Sequence, residues 1–359
     1  VNFKTEDLPN IKATGEEIIV KVPAMPEKGF NWPYYLRIPT DKFKNELENN
    51  VSKRYLLVDI ANSGPNGIEG AEKYVKDNMR EGTFNGILSE LLYMPYIMPV
   101  IPRTNIQYES KDGVNQIYEH ALDRDTMFLE KLVKENPEIA EKYKERGYEV
   151  KDFYNLDKQV LAMIDHAIEY LNKYDHKMEK DKFIINGFSA SAEFANRLTF
   201  LHPNRVKIMI SGGAMEGVII PKETYKGEDL IYPIGTKDYK ELTGREFSLE
   251  EQNKVAKIYY TGDADNNDTL IYNDCYGNTE KNIITKLWGK DVFKRRLNTV
   301  ASYKENGGKG IFIHEKGLDH SYSGDMIDYV LEFILQNRNS DSPVYVTPTS
   351  SIHKYEIIK

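Results

Sequence analysis

The chain has 359 residues, of which 40% are hydrophobic and 29% are charged, and its formal net charge is −8 at pH 7. This composition predicts a globular protein, and the acidic balance argues against nucleic acid as the main partner because phosphate binding needs a basic face. No apolar run approaches the ~20 residues that span a bilayer, so no membrane span is expected.

Short apolar runs alternate with helical patterns along the chain. This alternation is typical of an α/β fold, with a mostly parallel central sheet and helices on both faces. The predicted strands are 17–22, 32–38, 54–60, 96–101, 183–185, 206–211, 257–261 and 310–314. The predicted helices are 69–92 with an interruption at 82–86, 157–174, the stretch after residue 189, and 326–335. We expect a single domain over residues 1–359.

Two segments interrupt this alternation as insertions. Residues 104–155 are charged and include a predicted helix over 127–143, whereas residues 215–256 carry several aromatic side chains. Long insertions in α/β enzymes often cover the active site, so either segment is a cap or a surface elaboration. His120 lies in the first insertion among acidic and basic residues, as a substrate contact or as part of a structural ion-pair cluster.

The single cysteine and the first residue carry limited information. Cys275 has no partner for an internal disulfide or a cysteine-based metal site, and its loop-like surroundings favour an incidental thiol over a nucleophile. The chain begins with Val1, which indicates either a removed leader or a trimmed start. We therefore expect a secreted or cell-surface protein rather than a cytoplasmic one.

The segment from Gly187 to Ser191 is the most informative motif. Its sequence, Gly-Phe-Ser-Ala-Ser, follows the apolar run 183–185 and precedes a helical pattern. A small-x-Ser-x-small pentapeptide between a strand and a helix is typical of a nucleophile elbow, in which the serine lies at the tip of a strained turn. Ser189 is thus the candidate nucleophile, and its neighbour Phe188 is a candidate substrate contact.

A nucleophilic serine needs a base and a carboxylate that orients the base. After the strand 257–261 comes an aspartate-rich loop in which Asp265 is the candidate acid, with Asp263 and Asp268 as rivals. An Asp-rich turn or a calcium loop is the other interpretation, although the glycine and glutamate of an EF-hand are not at the required positions. His320 follows the last strand and is the candidate base, with His314 as its rival.

Catalysis also needs N–H donors that stabilise the oxyanion of the tetrahedral intermediate. One donor is expected to be the backbone N–H of Ala190, which follows the nucleophile. The other is expected from the loop after the third strand, where Ser63 and Gly64 are the candidates.

These pieces occur in the order Ser, Asp, His, and from about residue 30 to 336 the chain resembles the α/β-hydrolase superfamily. The resemblance rests on the loop 62–64, the elbow, the Gly262-x-x-Asp265 loop and the Gly317-x-x-His320 loop. Within the superfamily the chain is similar to secreted-type esterases and polyester depolymerase-like hydrolases, whose early strand resembles residues 32–39. It departs from the pattern in lacking His-Gly in the oxyanion loop and in ending its elbow with Ser191.

The resemblance implies a serine hydrolase that cleaves a small or polymeric carboxylic ester through an acyl-enzyme, without a metal or organic cofactor. A serine peptidase or an acyltransferase would use the same triad. A non-catalytic binding protein with the same fold is the alternative from a different class.

Overall fold

The computed structural model describes residues 3–49, 53–62, 66–272, 274–345 and 355–358. Its strands are β1 (Ile18–Val22), β2 (Tyr34–Ile38), β3 (Leu57–Val58), β4 (Tyr96–Pro99), β5 (Gln107–Ser110), β6 (Gly113–Gln116), β7 (Phe183–Phe188), β8 (Val206–Gly212), β9 (Thr224–Tyr225), β10 (Glu228–Asp229), β11 (Ala256–Gly262), β12 (Ile311–Glu315) and β13 (Tyr355–Ile357). Its helices are α1 (Lys44–Asn49), α2 (Gly67–Asn78), α3 (Phe84–Leu91), α4 (Arg124–Met127), α5 (Leu129–Glu135), α6 (Glu138–Glu145), α7 (Leu156–Lys173), α8 (Ala190–Leu201), α9 (Tyr239–Thr243), α10 (Leu249–Lys254), α11 (Thr269–Tyr272), α12 (Asn278–Trp288), α13 (Val292–Glu305) and α14 (Gly324–Asn337).

The central sheet has the strand order β1-β2-β4-β3-β7-β8-β11-β12-β13. The run from β4 to β12 is parallel, whereas β1, β2 and β13 pair in antiparallel fashion at the two sides. Two further hairpins, β5–β6 and β9–β10, lie in the predicted insertions. This topology is that of the α/β-hydrolase fold, which confirms the fold predicted from the sequence.

Both faces of the sheet are covered by helices. Residues of α7, α8 and α13 belong to the core on one face, and residues of α2, α3 and α14 belong to the core on the other. On β7, Ile185 packs into the first core and its neighbour Ile184 into the second. Side chains alternate between the faces of a strand, so a strand covered on both sides reads as a continuous apolar run.

Two predicted elements differ from the structure. The strand predicted over 54–60 pairs as a ladder only at Leu57–Val58, although Arg54 forms an isolated bridge with Met178. The helix predicted over 127–143 is divided into the end of α4, α5 and α6. The first break is at Phe128, between α4 and α5. The second, between α5 and α6, is at Asn136 and Pro137, because a proline disfavours helical backbone in the residue before it.

No helix within the described residues is both long and apolar enough to cross a membrane.

Lys257 on β11 provides a test of the core. Its side chain is 3% exposed and its Nζ lies 3.2 Å from Tyr303 Oη. Burial lowers the pKa of this ammonium from 10.5 to about 7. Between the folded pKa of about 7 and the unfolded pKa of 10.5, the unfolded chain binds more protons than the folded one. The free energy of unfolding therefore rises with pH across this range.

We expect Lys257→Met to increase the free energy of unfolding near pH 7, where the buried amine is costly to protonate. The substitution should also make the free energy of unfolding less dependent on pH. Urea titrations at both ends of this pH range measure this, with Lys309→Met as an exposed control. Equal pH dependence in the wild type and Lys257→Met would contradict the prediction.

Candidate active site

Three loops place the candidate residues at one edge of the sheet. Ser189 directly follows β7, Asp265 follows β11 and His320 follows β12. These strands run parallel, so their carboxyl ends point to the same edge, where open α/β sheets bind ligands. The fold therefore brings together side chains that are 131 and 55 residues apart in the sequence.

Ser189 has the strained backbone that the elbow motif predicts. Its φ of 61° and ψ of −126° lie outside the regions that non-glycine residues favour. Its amide donates to Gly212 O at 2.8 Å, and its side chain is partly exposed. Gly187 makes this turn possible, because a Cβ there would lie 2.3 Å from Ser191 O at the start of α8.

Ser191 stands where the elbow motif usually has glycine, and its hydroxyl forms hydrogen bonds with the backbone of the same turn. Its Oγ accepts from Phe188 N at 2.8 Å and donates to Phe188 O at 2.9 Å. The departure from the family pattern therefore adds two local hydrogen bonds beneath the candidate nucleophile.

A continuous chain of hydrogen bonds links the three candidate side chains. His320 Nε2 lies 2.8 Å from Ser189 Oγ, and His320 Nδ1 lies 2.9 Å from Asp265 Oδ2. Asp265 is 1% exposed and also accepts from Thr261 Oγ1 at 3.0 Å and from Asn267 N at 2.9 Å. Burial raises the pKa of the Asp265 carboxyl, but the hydrogen bonds, led by that with His320, outweigh burial and leave the pKa below its usual value. The carboxylate is thus ionised at neutral pH.

The two rival aspartates have other partners. Asp263 Oδ1 accepts from Gly317 N at 2.7 Å, and buried Asp268 forms an ion pair with Arg295. The rival histidine, His314, lies within β12 and pairs in register with Thr261.

The acid and base loops are held together by direct backbone contact. Ala264 N donates to Leu318 O at 2.9 Å, and a Cβ at Gly262 would lie 2.2 Å from that same oxygen. The two glycine-containing loops of the sequence motif thus pack against each other, and the hydrogen bond from Gly317 N to Asp263 links them.

Arg296 on α13 is a supporting residue that sequence reasoning missed. Its Nη2 donates to Asp265 O at 3.1 Å, and its Nε donates to Glu216 Oε2, also at 3.1 Å. Both charged side chains are almost fully buried. In a sequence, such a residue would be recognised as a charged side chain on the buried face of a helix. That face is known only from the structure.

The structure describes part of the expected oxyanion site. Ala190 is the first residue of α8, so its N–H has no acceptor within the helix. Ser63 and Gly64 lie outside the described residues. Asn62, just before them, donates from Nδ2 to Phe188 O at 2.9 Å.

A cleft of about 670 Å³ lies over the candidate triad. The described residues lining it are Asn62, Tyr74, Phe188, Ser189, Asn266, Asn267, Tyr272, Asp274 and His320. Phe188 is therefore placed at the site, and its ring centroid is 5.0 Å from that of His320. The lining includes no described residue of segments 104–155 or 215–256, whose role as a cap stays a prediction.

His120 is not brought to the lining of the cleft. It is 3% exposed, and burial lowers the pKa of its imidazole well below the usual value, with the charges of Arg103 and Arg197 acting in the same direction. The ring is therefore neutral and internal.

Cys275 is also buried, and burial raises the pKa of its thiol well above the usual value. Among the described residues, no group of three or more His, Cys, Asp or Glu side chains is placed to hold a metal ion.

Several solved structures of hydrolases are similar to this chain, each at low sequence identity. No protein-family model matches the chain, and no curated protein matches its sequence. Poly(aspartic acid) hydrolase-1 from Sphingomonas sp. KT-1 is similar over 90% of this chain and 100% of its own, with 14% identity and a TM-score of 0.49. An S-formylglutathione hydrolase from Agrobacterium tumefaciens is similar over 92% of this chain and 98% of its own, with 11% identity and a TM-score of 0.46.

The serine hydrolase FphF from Staphylococcus aureus covers 90% of this chain and 98% of its own, with 9% identity and a TM-score of 0.44.

The bonds of Ser191 lead to a prediction about stability. Ser191→Ala leaves the partly buried Phe188 N–H without this acceptor, so we expect the free energy of unfolding to fall by about 1 kcal/mol. Ser211→Ala is the matched control, because Ser211 is 1% exposed and its Oγ has no hydrogen-bond partner among the described residues. Urea unfolding of both variants measures the difference, and an equal loss in both would refute a specific role for the Ser191 bonds.

Proposed function

We propose that the protein is a serine hydrolase that cleaves carboxylic esters through an acyl-enzyme intermediate. The observation that carries this proposal is the unbroken hydrogen-bond chain from a strained, partly exposed Ser189 through His320 to buried Asp265. The open cleft directly over the serine provides space for a substrate.

In the first half-reaction Ser189 Oγ attacks the ester carbonyl carbon while its proton passes to His320 Nε2. The carboxylate of Asp265 holds the imidazole in the tautomer that accepts this proton and stabilises the resulting imidazolium. When the tetrahedral intermediate collapses, the bond to the alkoxy oxygen breaks and His320 returns the proton to the leaving alcohol.

In the second half-reaction water attacks the acyl carbon and gives a proton to the same imidazole. Collapse of the second intermediate releases the carboxylic acid and restores the serine hydroxyl. In both steps the N–H of Ala190 is one donor to the oxyanion, and the loop after β3 supplies the other.

The nucleophile assignment is tested with a fluorophosphonate probe, which reacts with activated serines. We expect the wild type to be labelled and Ser189→Ala to lose labelling, whereas Ser211→Ala keeps it. An unlabelled wild type would favour the non-catalytic alternative, and labelling of Ser189→Ala would place the nucleophile elsewhere.

The acid assignment is tested by three matched substitutions. We expect Asp265→Asn to lower kcat for an aryl ester by about four orders of magnitude, because an amide holds the imidazole in the wrong tautomer. Asp263→Asn and Asp268→Asn remove the rival carboxyls, which contact Gly317 and Arg295 instead, and are expected to retain far more activity. A larger loss in Asp263→Asn than in Asp265→Asn would show that the acid is assigned wrongly.

The choice of an ester over an amide needs its own measurement. The kcat/KM values for hydrolysis of an ester and of an amide with the same acyl group are compared. The ester reaction is then repeated with an added alcohol, which would accept the acyl group in a transferase reaction. Preferred ester hydrolysis is the expected result. Faster cleavage of the amide would indicate a peptidase, and acyl transfer to the alcohol in place of hydrolysis would indicate a transferase.

A further inference from the structure

A second cavity of about 350 Å³ adjoins the active-site cleft. Asn62, Tyr74 and Phe188 line both spaces, so they form the boundary between them. The cavity extends from there towards α3, with the carboxyl ends of β3 and β7 on its other sides. A volume near 300 Å³ or more is typical of small-molecule sites, so part of a substrate held at Ser189 fits there.

Asp59, which follows β3, brings a carboxylate to this cavity. The residue as a whole is partly exposed, but its carboxyl is surrounded by protein atoms. Its oxygens accept from Ile60 N at 2.7 Å and from Asn85 Nδ2 at 2.9 Å. The described residues that line the cavity include no lysine, arginine or histidine. Burial raises the pKa of the Asp59 carboxyl to about 8, although those hydrogen bonds oppose the change. A carboxylate in such a place is costly to ionise until a cation joins it.

Aromatic rings surround the same space. The ring centroid of Tyr322 lies 4.9 Å from that of Phe84 and 5.2 Å from that of Phe188, both nearly edge to face. Tyr74, Tyr96 and Tyr260 add further rings to the lining. The faces of such rings attract cations, and rings grouped around a carboxylate are the usual way to recognise an ammonium ion.

We propose that this cavity binds a primary ammonium group of the substrate, so that the enzyme prefers esters carrying an amino group. The proposal rests on the function proposed above. An ammonium ion supplies the positive charge that Asp59 lacks and a cation for the ring faces. A neutral alcohol would supply neither.

Binding is measured directly by calorimetry with pentylammonium and its neutral counterpart pentanol, which requires no turnover. We expect the wild type to prefer the ammonium by about tenfold or more, as cation–π and charge contacts together imply. Asp59→Asn is expected to lose this preference. Asp77→Asn is the matched control, because it makes the same carboxyl-to-amide change on the exposed face of neighbouring α2 and is expected to keep the preference.

Phe84→Leu is the second variant, in case Asp59→Asn does not fold. It removes a ring while keeping an apolar side chain, so we expect weaker binding of pentylammonium but not of pentanol. Equal binding of the two compounds by the wild type, or an undiminished preference in the folded Asp59→Asn or Phe84→Leu variant, would overturn the proposal.

A kinetic comparison separates this inference from the proposed function. Two aryl esters are compared whose acyl chains have equal length and end in an amino or a methyl group. A lower KM for the amino ester is expected with the wild type but not with Asp59→Asn. Ester hydrolysis without ammonium binding would overturn the inference and leave the hydrolase. Ammonium binding without any hydrolysis would overturn the hydrolase and leave the cavity as a cation site.

Discussion

The close approach of β7 to α8 is the constraint on which the site depends. A strand that turns directly into a helix leaves no room for a side chain at Gly187 and forces Ser189 into a positive-φ backbone conformation. Such strain persists only where the surrounding structure holds it. Here the helix on one side, the strand β8 that accepts the serine amide, and the bonds of Ser191 hold the turn.

The opposite half of the site depends on contact between two loops. The loops after β11 and β12 touch at Gly262 and are tied by Asp263, so Asp265 and His320 are positioned relative to each other before a substrate arrives. The three neighbouring aspartates therefore have three different partners: a backbone amide, the imidazole and a buried arginine. Arg296 adds a further support from α13, by binding the backbone oxygen of Asp265.

Most strands and the long helices were predictable. Burial on one face leaves a periodic pattern of apolar residues, and burial of a strand on both faces leaves a short continuous apolar run. The elbow, the order of the candidate triad and the interruption between α2 and α3 were predictable for the same local reason. The division of the segment 127–143 into short helices was missed, although Pro137 marks one of its breaks locally. The shortness of β3 was missed because strand pairing depends on partners far along the chain. His120 was not separable from a cleft residue, since a buried and an exposed histidine look the same in a sequence.

The sequence by itself determined the elbow and the strand-loop units, because each of these depends on residues close together in the chain. The order of Ser189, Asp265 and His320 can also be read directly from the sequence. Tertiary structure alone decided which aspartate meets the imidazole, which arginine supports it and that Asp59 shares an aromatic cavity next to the cleft. Those contacts join residues on different strands and helices. They depend on how the sheet twists and packs, which no local pattern encodes.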